Sequence, residues 1–154
     1  MIENARRKAR AGVDMAAGEG DLVLGVDTEV VLDGRVLGKA ADVPQARLRL
    51  ESLSGRTHEV LSGVVLQMRA GESIERSGVA RSRVTFGEPR PQLLEAYLAS
   101  GEWQDRAGAY AVQGLGSSLV ARVDGDLSNV IGLPVNLLLG LIAGLLDTAG
   151  SSGS

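Results

Sequence analysis

Apolar residues near the start of the chain recur at helical spacing. Ile2, Ala5, Ala9, Val13 and Ala16 fall on one side of a 3.6-residue repeat, which predicts a helix over residues 3–17, stopped by the glycines at 18 and 20. Residues 22–26 form an apolar run with a β-branched bias, the pattern of a short buried strand with Asp27 at its end. Val30-Val31-Leu32 and Arg35-Val36-Leu37 flank Asp33-Gly34, a pair suited to a type I′ hairpin turn. Asp42 is placed to cap a helix whose inner face carries Val43, Ala46, Leu50 and Leu53, with Gly55 after it. Two long strands follow. Val60, Val64, Leu66 and Met68 line one face of the first, and Ile74, Ala80, Val84 and Phe86 one face of the second, with Ala70-Gly71 as the turn. Leu93, Leu94, Tyr97 and Leu98 mark a helix closed by Gly101, and residues 119–123 read as a strand. Residues 125–132 read as a loop, and Pro134 opens an apolar C-terminal helix at its favoured first position. Helices and strands alternate, yet hairpins also occur, so the expected fold class is α/β with a mixed sheet.

Composition changes this picture little. The 154 residues are 44% hydrophobic and 23% charged, the balance of one globular domain, assigned to residues 1–149 with a flexible tail at 150–154. A net charge of −3 argues against general nucleic-acid affinity, but not against a small anion held by a few cations. The chain has no cysteine, so thiolate metal sites and thiol nucleophiles are excluded. The longest apolar run, 135–146, contains Asn136 and is too short for a membrane span, and the basic N-terminus does not read as a signal peptide. The cytoplasm is the expected location.

Three polar clusters interrupt the apolar pattern. Asp27-Thr28 ends the first strand, and Lys39 follows its hairpin partner. Ligands of open α/β sheets collect at strand ends, where a carboxylate can hold a divalent metal or accept a proton and a lysine can neutralise phosphate. The same residues also suit a capped turn and a solvated lysine. Residues 101–114 place Glu102, Asp105, Arg106 and Gln113 among small residues, either to admit a ligand or simply to pack Trp103 and Tyr110. In the third cluster, 124–134, Asp124 and Asp126 could hold a metal, but the better reading is loop chemistry in which Asp126 and Asn129 bond backbone. His58, the only histidine, reads as a structural, hydrogen-bonded residue. The phosphate-binding loop G-x-x-x-x-G-K-[ST] is absent.

In order and spacing, five segments resemble the Maf family of nucleotide pyrophosphatases. They are LVLGVDTEVVLDGRVLGKA (22–40), LSGRTHEVLSGV (53–64), RVTFGE (83–88), YLASGEWQDRAGAYAVQG (97–114) and VDGDLSNVIGLP (123–134). The resemblance implies a two-lobed fold, like that of inosine triphosphatase, with a long, mixed, curved sheet and flanking helices. It implies hydrolysis of a nucleoside triphosphate to monophosphate and pyrophosphate with Mg²⁺ or Mn²⁺. Asp27-Thr28 and DRAGAYAVQG resemble the branch acting on dTTP and UTP.

Carried over by position, Asp27 matches the proton acceptor and metal ligand, Lys39 and Lys8 match phosphate-contacting lysines, and Thr28 and Gln113 match specificity positions. Glu102 and Asp105 fall in the motif that shapes the substrate cleft. The family also points to a homodimer, with no nucleic-acid or membrane partner. The sequence departs from the family in one large respect: the opening strand and S-x-S-P-R-R loop are not in it, so the resemblance implies a fold incomplete at its N-terminus. That motivates an alternative, an impaired homologue that binds nucleotide or protein without turnover. Milder departures are Ala40 for proline, Arg106 for lysine, Ser62 for threonine and Val112 for isoleucine.

Overall fold

The computed structural model describes residues 1–15, 18, 20–70 and 72–151. Its elements in chain order are α1 (Ile2–Met15), β1 (Leu22–Leu32), β2 (Arg35–Leu37), α2 (Val43–Leu53), β3 (Thr57–Ala70), β4 (Glu72–Phe86) and α3 (Pro91–Ser100). A 3-10 helix (Gly114–Leu119), β5 (Val120–Asp124), α4 (Leu127–Ile131) and α5 (Val135–Ser151) follow. The strands form one five-stranded sheet in the order β2-β1-β3-β4-β5, with β1–β2 and β4–β5 antiparallel. The fold is α/β, as expected. Ala16 and Ala17 of the expected first helix, Gly71 of the expected β3–β4 turn and residues 152–154 of the tail lie outside the described residues.

The chain divides into two compact units, and β1, β3 and β4 each contribute residues to both. The first comprises residues 1–28, 62–80 and 132–154. Here α1 lies directly on β1. A Cβ at Gly25 would stand 2.0 Å from the Ala5 carbonyl oxygen, so only glycine permits this approach. Ala5, Ala9 and Val65 form a small buried cluster with Ile2 against it. β3 is buried on both faces over residues 62–67, with Val65 against Ala5 and Ala9, where the one-faced pattern Val60, Val64, Leu66 and Met68 was expected; Met68 itself is only partly buried.

The second unit comprises residues 29–61 and 81–131. Its core joins Val30 and Leu32 of β1, Leu50 and Leu53 of α2, Val60, Val84 and Phe86 of the sheet, and Tyr97, Leu98, Trp103 and Tyr110. The hairpin turn is as expected: Asp33 and Gly34 have φ of 49° and 75°, the two positive values a type I′ turn needs. Asp42 caps α2 by accepting from the Gln45 backbone N–H at 2.9 Å, although Val43 is exposed rather than inward. His58 is buried, bonds Tyr110 Oη through Nε2 at 2.8 Å, and stands edge-on to Phe86 and Tyr110. Burial lowers its pKa to about 4, so the ring is neutral near pH 7.

Three boundaries differ from the sequence pattern. β1 does not end at residue 26; it runs unbroken through Asp27, Thr28 and Glu29. A sheet ladder is built from backbone groups, so a polar run does not terminate it. Its first residues are also not buried, with Leu22 and Leu24 46% and 39% exposed. The expected loop at 125–132 contains α4, held by Asn129, whose Nδ2 donates to the Val60 carbonyl and to Ser82 Oγ, each at 3.0 Å. Pro134 precedes α5 rather than opening it. No described helix is long and apolar enough to cross a membrane.

Candidate active site

The first unit carries Asp27. Because β1 continues beyond it, Asp27 sits within a strand and not at a strand end, and strand-end geometry does not account for its place. Its carboxylate is mostly shielded and doubly held. Lys8 Nζ donates to Oδ1 at 2.8 Å and also to the Val26 carbonyl at 2.8 Å, and Asn4 Nδ2 donates to Oδ2 at 3.1 Å. Asn4 and Lys8 are four residues apart on α1, hence on one face of the helix. Partial burial raises the Asp27 pKa. The Lys8 and Asn4 hydrogen bonds, with the charges of Lys8 and the N-terminal ammonium, outweigh it and bring the carboxyl below its ordinary value. Asp27 is therefore ionised at neutral pH. Thr28 Oγ1 shares a hydrogen bond with Ser62 Oγ at 2.8 Å, and Ser62 is fully buried.

The second unit carries the other expected residues. The Lys39 backbone bridges to Ala107, and Gly108 N–H donates to the Leu37 carbonyl at 2.8 Å, which ties the 105–110 segment to β2. Lys39 Nζ reaches Asp105 Oδ1 at 3.4 Å, but the two side chains are 65% and 90% exposed. A pair that open to water holds its lysine weakly and leaves it available to an anion. Asp105 has φ of 57°, a conformation aspartate tolerates better than most residues.

Glu102 does not stand free for substrate. Its Oε1 accepts from Leu115 N–H and its Oε2 from Gly116 N–H, both at 3.1 Å, so it closes the N-terminal end of the 3-10 helix. Gln113 caps that helix by position only, and its side chain is exposed. The small residues at 107–109 serve packing, since a Cβ on Gly108 would meet Val30 at 3.0 Å, and Trp103 and Tyr110 are buried. Asp126 accepts from Ser128 N–H at 2.8 Å, the backbone-bonding role expected for it.

The structure thus joins Asp27 with Lys8 in one unit and Lys39 with Asp105 in the other. Sequence reasoning missed Asn4, which the four-residue spacing to Lys8 would have flagged, and the partnership of Ser62 with Thr28. A hollow of 420 Å³ in the first unit is lined by Arg10, Val13, Asp14, Gln67 and Glu75, none of them an expected site residue. Among the described residues no three acidic or histidine side chains group to hold a metal ion.

The sequence comparison decides the family, because the profile of the Maf-like proteins matches residues 1–145. The chain belongs to the Maf family. A protein of Anaeromyxobacter sp. (strain Fw109-5) named dTTP/UTP pyrophosphatase is 47% identical over 137 residues, covering 88% of this chain and 64% of that relative. Its namesake in Moorella thermoacetica is 50% identical over 132 residues, covering 85% and 66%. The one in Pyrococcus furiosus is 41% identical over 122 residues, covering 79% and 63%. This Maf-family chain therefore spans no more than about two thirds of the length of these three relatives.

Proposed function

We propose that this Maf-family chain hydrolyses dTTP, UTP or modified pyrimidine triphosphates to the monophosphate and pyrophosphate, with a divalent cation and with Asp27 as proton acceptor. The observation that carries the reading is the Asp27 cluster, an ionised carboxylate gripped by an ammonium and an amide of α1. The relatives named dTTP/UTP pyrophosphatase support the choice of reaction and of bases.

In this reading, Asp27 orients a water molecule toward the α-phosphorus and takes its proton as the new P–O bond forms. The bond from that phosphorus to the bridging oxygen breaks, and pyrophosphate departs with the bonding pair. The oxygens of a triphosphate repel an incoming nucleophile, so charge neutralisation carries much of the acceleration. Lys8 and Lys39 supply it as point charges. A bound Mg²⁺ or Mn²⁺ would add to the same neutralisation. Thr28 and Gln113 read the base, the amide of Gln113 offering one donor and one acceptor edge.

The test is pyrophosphate release from a nucleotide panel with Mg²⁺ or Mn²⁺. Asp27→Asn is expected to lower turnover by at least about 100-fold with unchanged folding. Release that is indifferent to this substitution removes the catalytic assignment. Nucleotide binding by calorimetry without hydrolysis by the unaltered protein supports a binding module instead.

A further inference from the structure

We infer that Glu102 and Tyr97 are positioning residues for base selection: they fix the backbone on both sides of Gln113 without themselves reaching the base. The inference rests on the specificity role of Gln113 in the function proposed above. Gln113 is exposed and has no side-chain bond to the helix it caps, so what the fold holds in place at this position is the backbone. That backbone is pinned twice. On one side, Ala111 N–H donates to Tyr97 Oη at 3.2 Å, and the Tyr97 ring is fully buried. On the other, Leu115 and Gly116 N–H donate to the two oxygens of Glu102.

Both pins are rooted at the end of α3. Ser100 Oγ donates to the Tyr97 carbonyl at 2.6 Å and accepts from Glu102 N–H at 3.2 Å. Trp103 Nε1 donates to the Leu98 carbonyl at 3.0 Å. The turn between the pins has no slack. Gly114 has φ of 63°, and a Cβ there would stand 2.8 Å from Glu102 Oε1. At Gly116 a Cβ would stand 2.1 Å from the Ala111 carbonyl oxygen.

The chemistry of Glu102 fits this task. A carboxylate is acceptor-only and offers two oxygens to two converging N–H groups. Glutamine keeps the shape but turns one acceptor into a donor facing an N–H, so one pin opens. A donor–acceptor edge rejects the wrong base only while its orientation is held, because rejection comes from polar groups left unpaired.

The experiment compares kcat and KM for dTTP, UTP, CTP and GTP in the unaltered protein, Glu102→Gln, Tyr97→Phe and Gln113→Ala. A core variant, Val84→Ala, controls for lost stability, and amide exchange at Leu115 and Gly116 reports the pin directly. Glu102→Gln is expected to reduce the dTTP-over-CTP ratio of kcat/KM by about tenfold, mainly through KM, toward the value of Gln113→Ala. Tyr97→Phe should move it in the same direction by less, and Val84→Ala should leave it in place. Faster exchange at Leu115 and Gly116 with an unchanged ratio overturns the inference, and so does unchanged exchange. If the unaltered protein hydrolyses none of the four, the reaction assignment fails separately. The ratio of calorimetric affinities then takes the place of kcat/KM, and the absence of any base preference overturns the inference too.

Discussion

The two units of this protein use the same sheet for different ends. In the second, β3 and β4 enter a core of large side chains, among them Leu50, Phe86, Tyr97 and Tyr110. In the first, the cluster under α1 is Ala5, Ala9 and Val65, and the notable side chains are charged or hydroxylic: Lys8, Asp27, Thr28 and Ser62. Large apolar contacts carry stability, and small ones bring backbones close enough for short polar side chains to meet. The contrast predicts that damage to the second unit appears first as lost folding and damage to the first as lost chemistry.

The sharpest way to break that contrast is Leu50→Ala, which empties a fully packed position of the second unit. It is expected to cost about 2–5 kcal/mol in a denaturant titration while kcat below the transition stays within about twofold. A large loss of kcat in the folded variant would contradict the division. Acid provides the next test. The folded pKa of His58, about 4, lies below its ordinary 6.5, so the unfolded chain binds a proton more readily between those values. The stability from keeping His58 neutral is full above about pH 6.5 and is lost as pH falls toward 4, by ~3 kcal/mol at most. Unfolding free energy measured against pH should show this slope in the unaltered protein and less of it in His58→Phe.

Gly25→Ala probes the first unit. Its new methyl cannot coexist with the Ala5 carbonyl oxygen, so α1 must shift, at about 1–3 kcal/mol. Activity should fall further than that stability loss explains, because Lys8 and Asn4 move with the helix; a variant that is destabilised yet fully active would separate α1 from the chemistry. The smallest effect belongs to Asp105→Asn. Its exposed pair with Lys39 contributes under about 0.5 kcal/mol, so the midpoint of unfolding should not move measurably.

Much of this architecture is legible in the sequence where a local rule fixes it. Asp33-Gly34 demands the hairpin, Asp42 caps its helix, and Gly101 with φ of 74° ends α3. The sequence pattern failed where polarity stood in for structure. Asp27-Thr28-Glu29 resembles the end of a strand, yet β1 continues, since the ladder does not depend on side chains. The five-residue α4 is too short to declare a period. The site was legible in parts. Spacing on α1 contains the meeting of Asn4 and Lys8, but which strand residue they meet depends on packing across 19 positions or more. Glu102 looked like a ligand-facing carboxylate because its true partners are backbone amides of another segment, which no side-chain pattern records.

Gly25 has one more implication. The reach of a lysine is fixed by its four-carbon stem, so whether an ammonium touches a given carboxylate is decided by how near the two main chains come. Here that separation is set by an atom that is not there, the β-carbon of residue 25. The electrostatics of Asp27 are in this sense tuned from within its own strand. Evolution or engineering can weaken the grip on that carboxylate without altering either charged residue, simply by adding a methyl group two positions earlier in the strand.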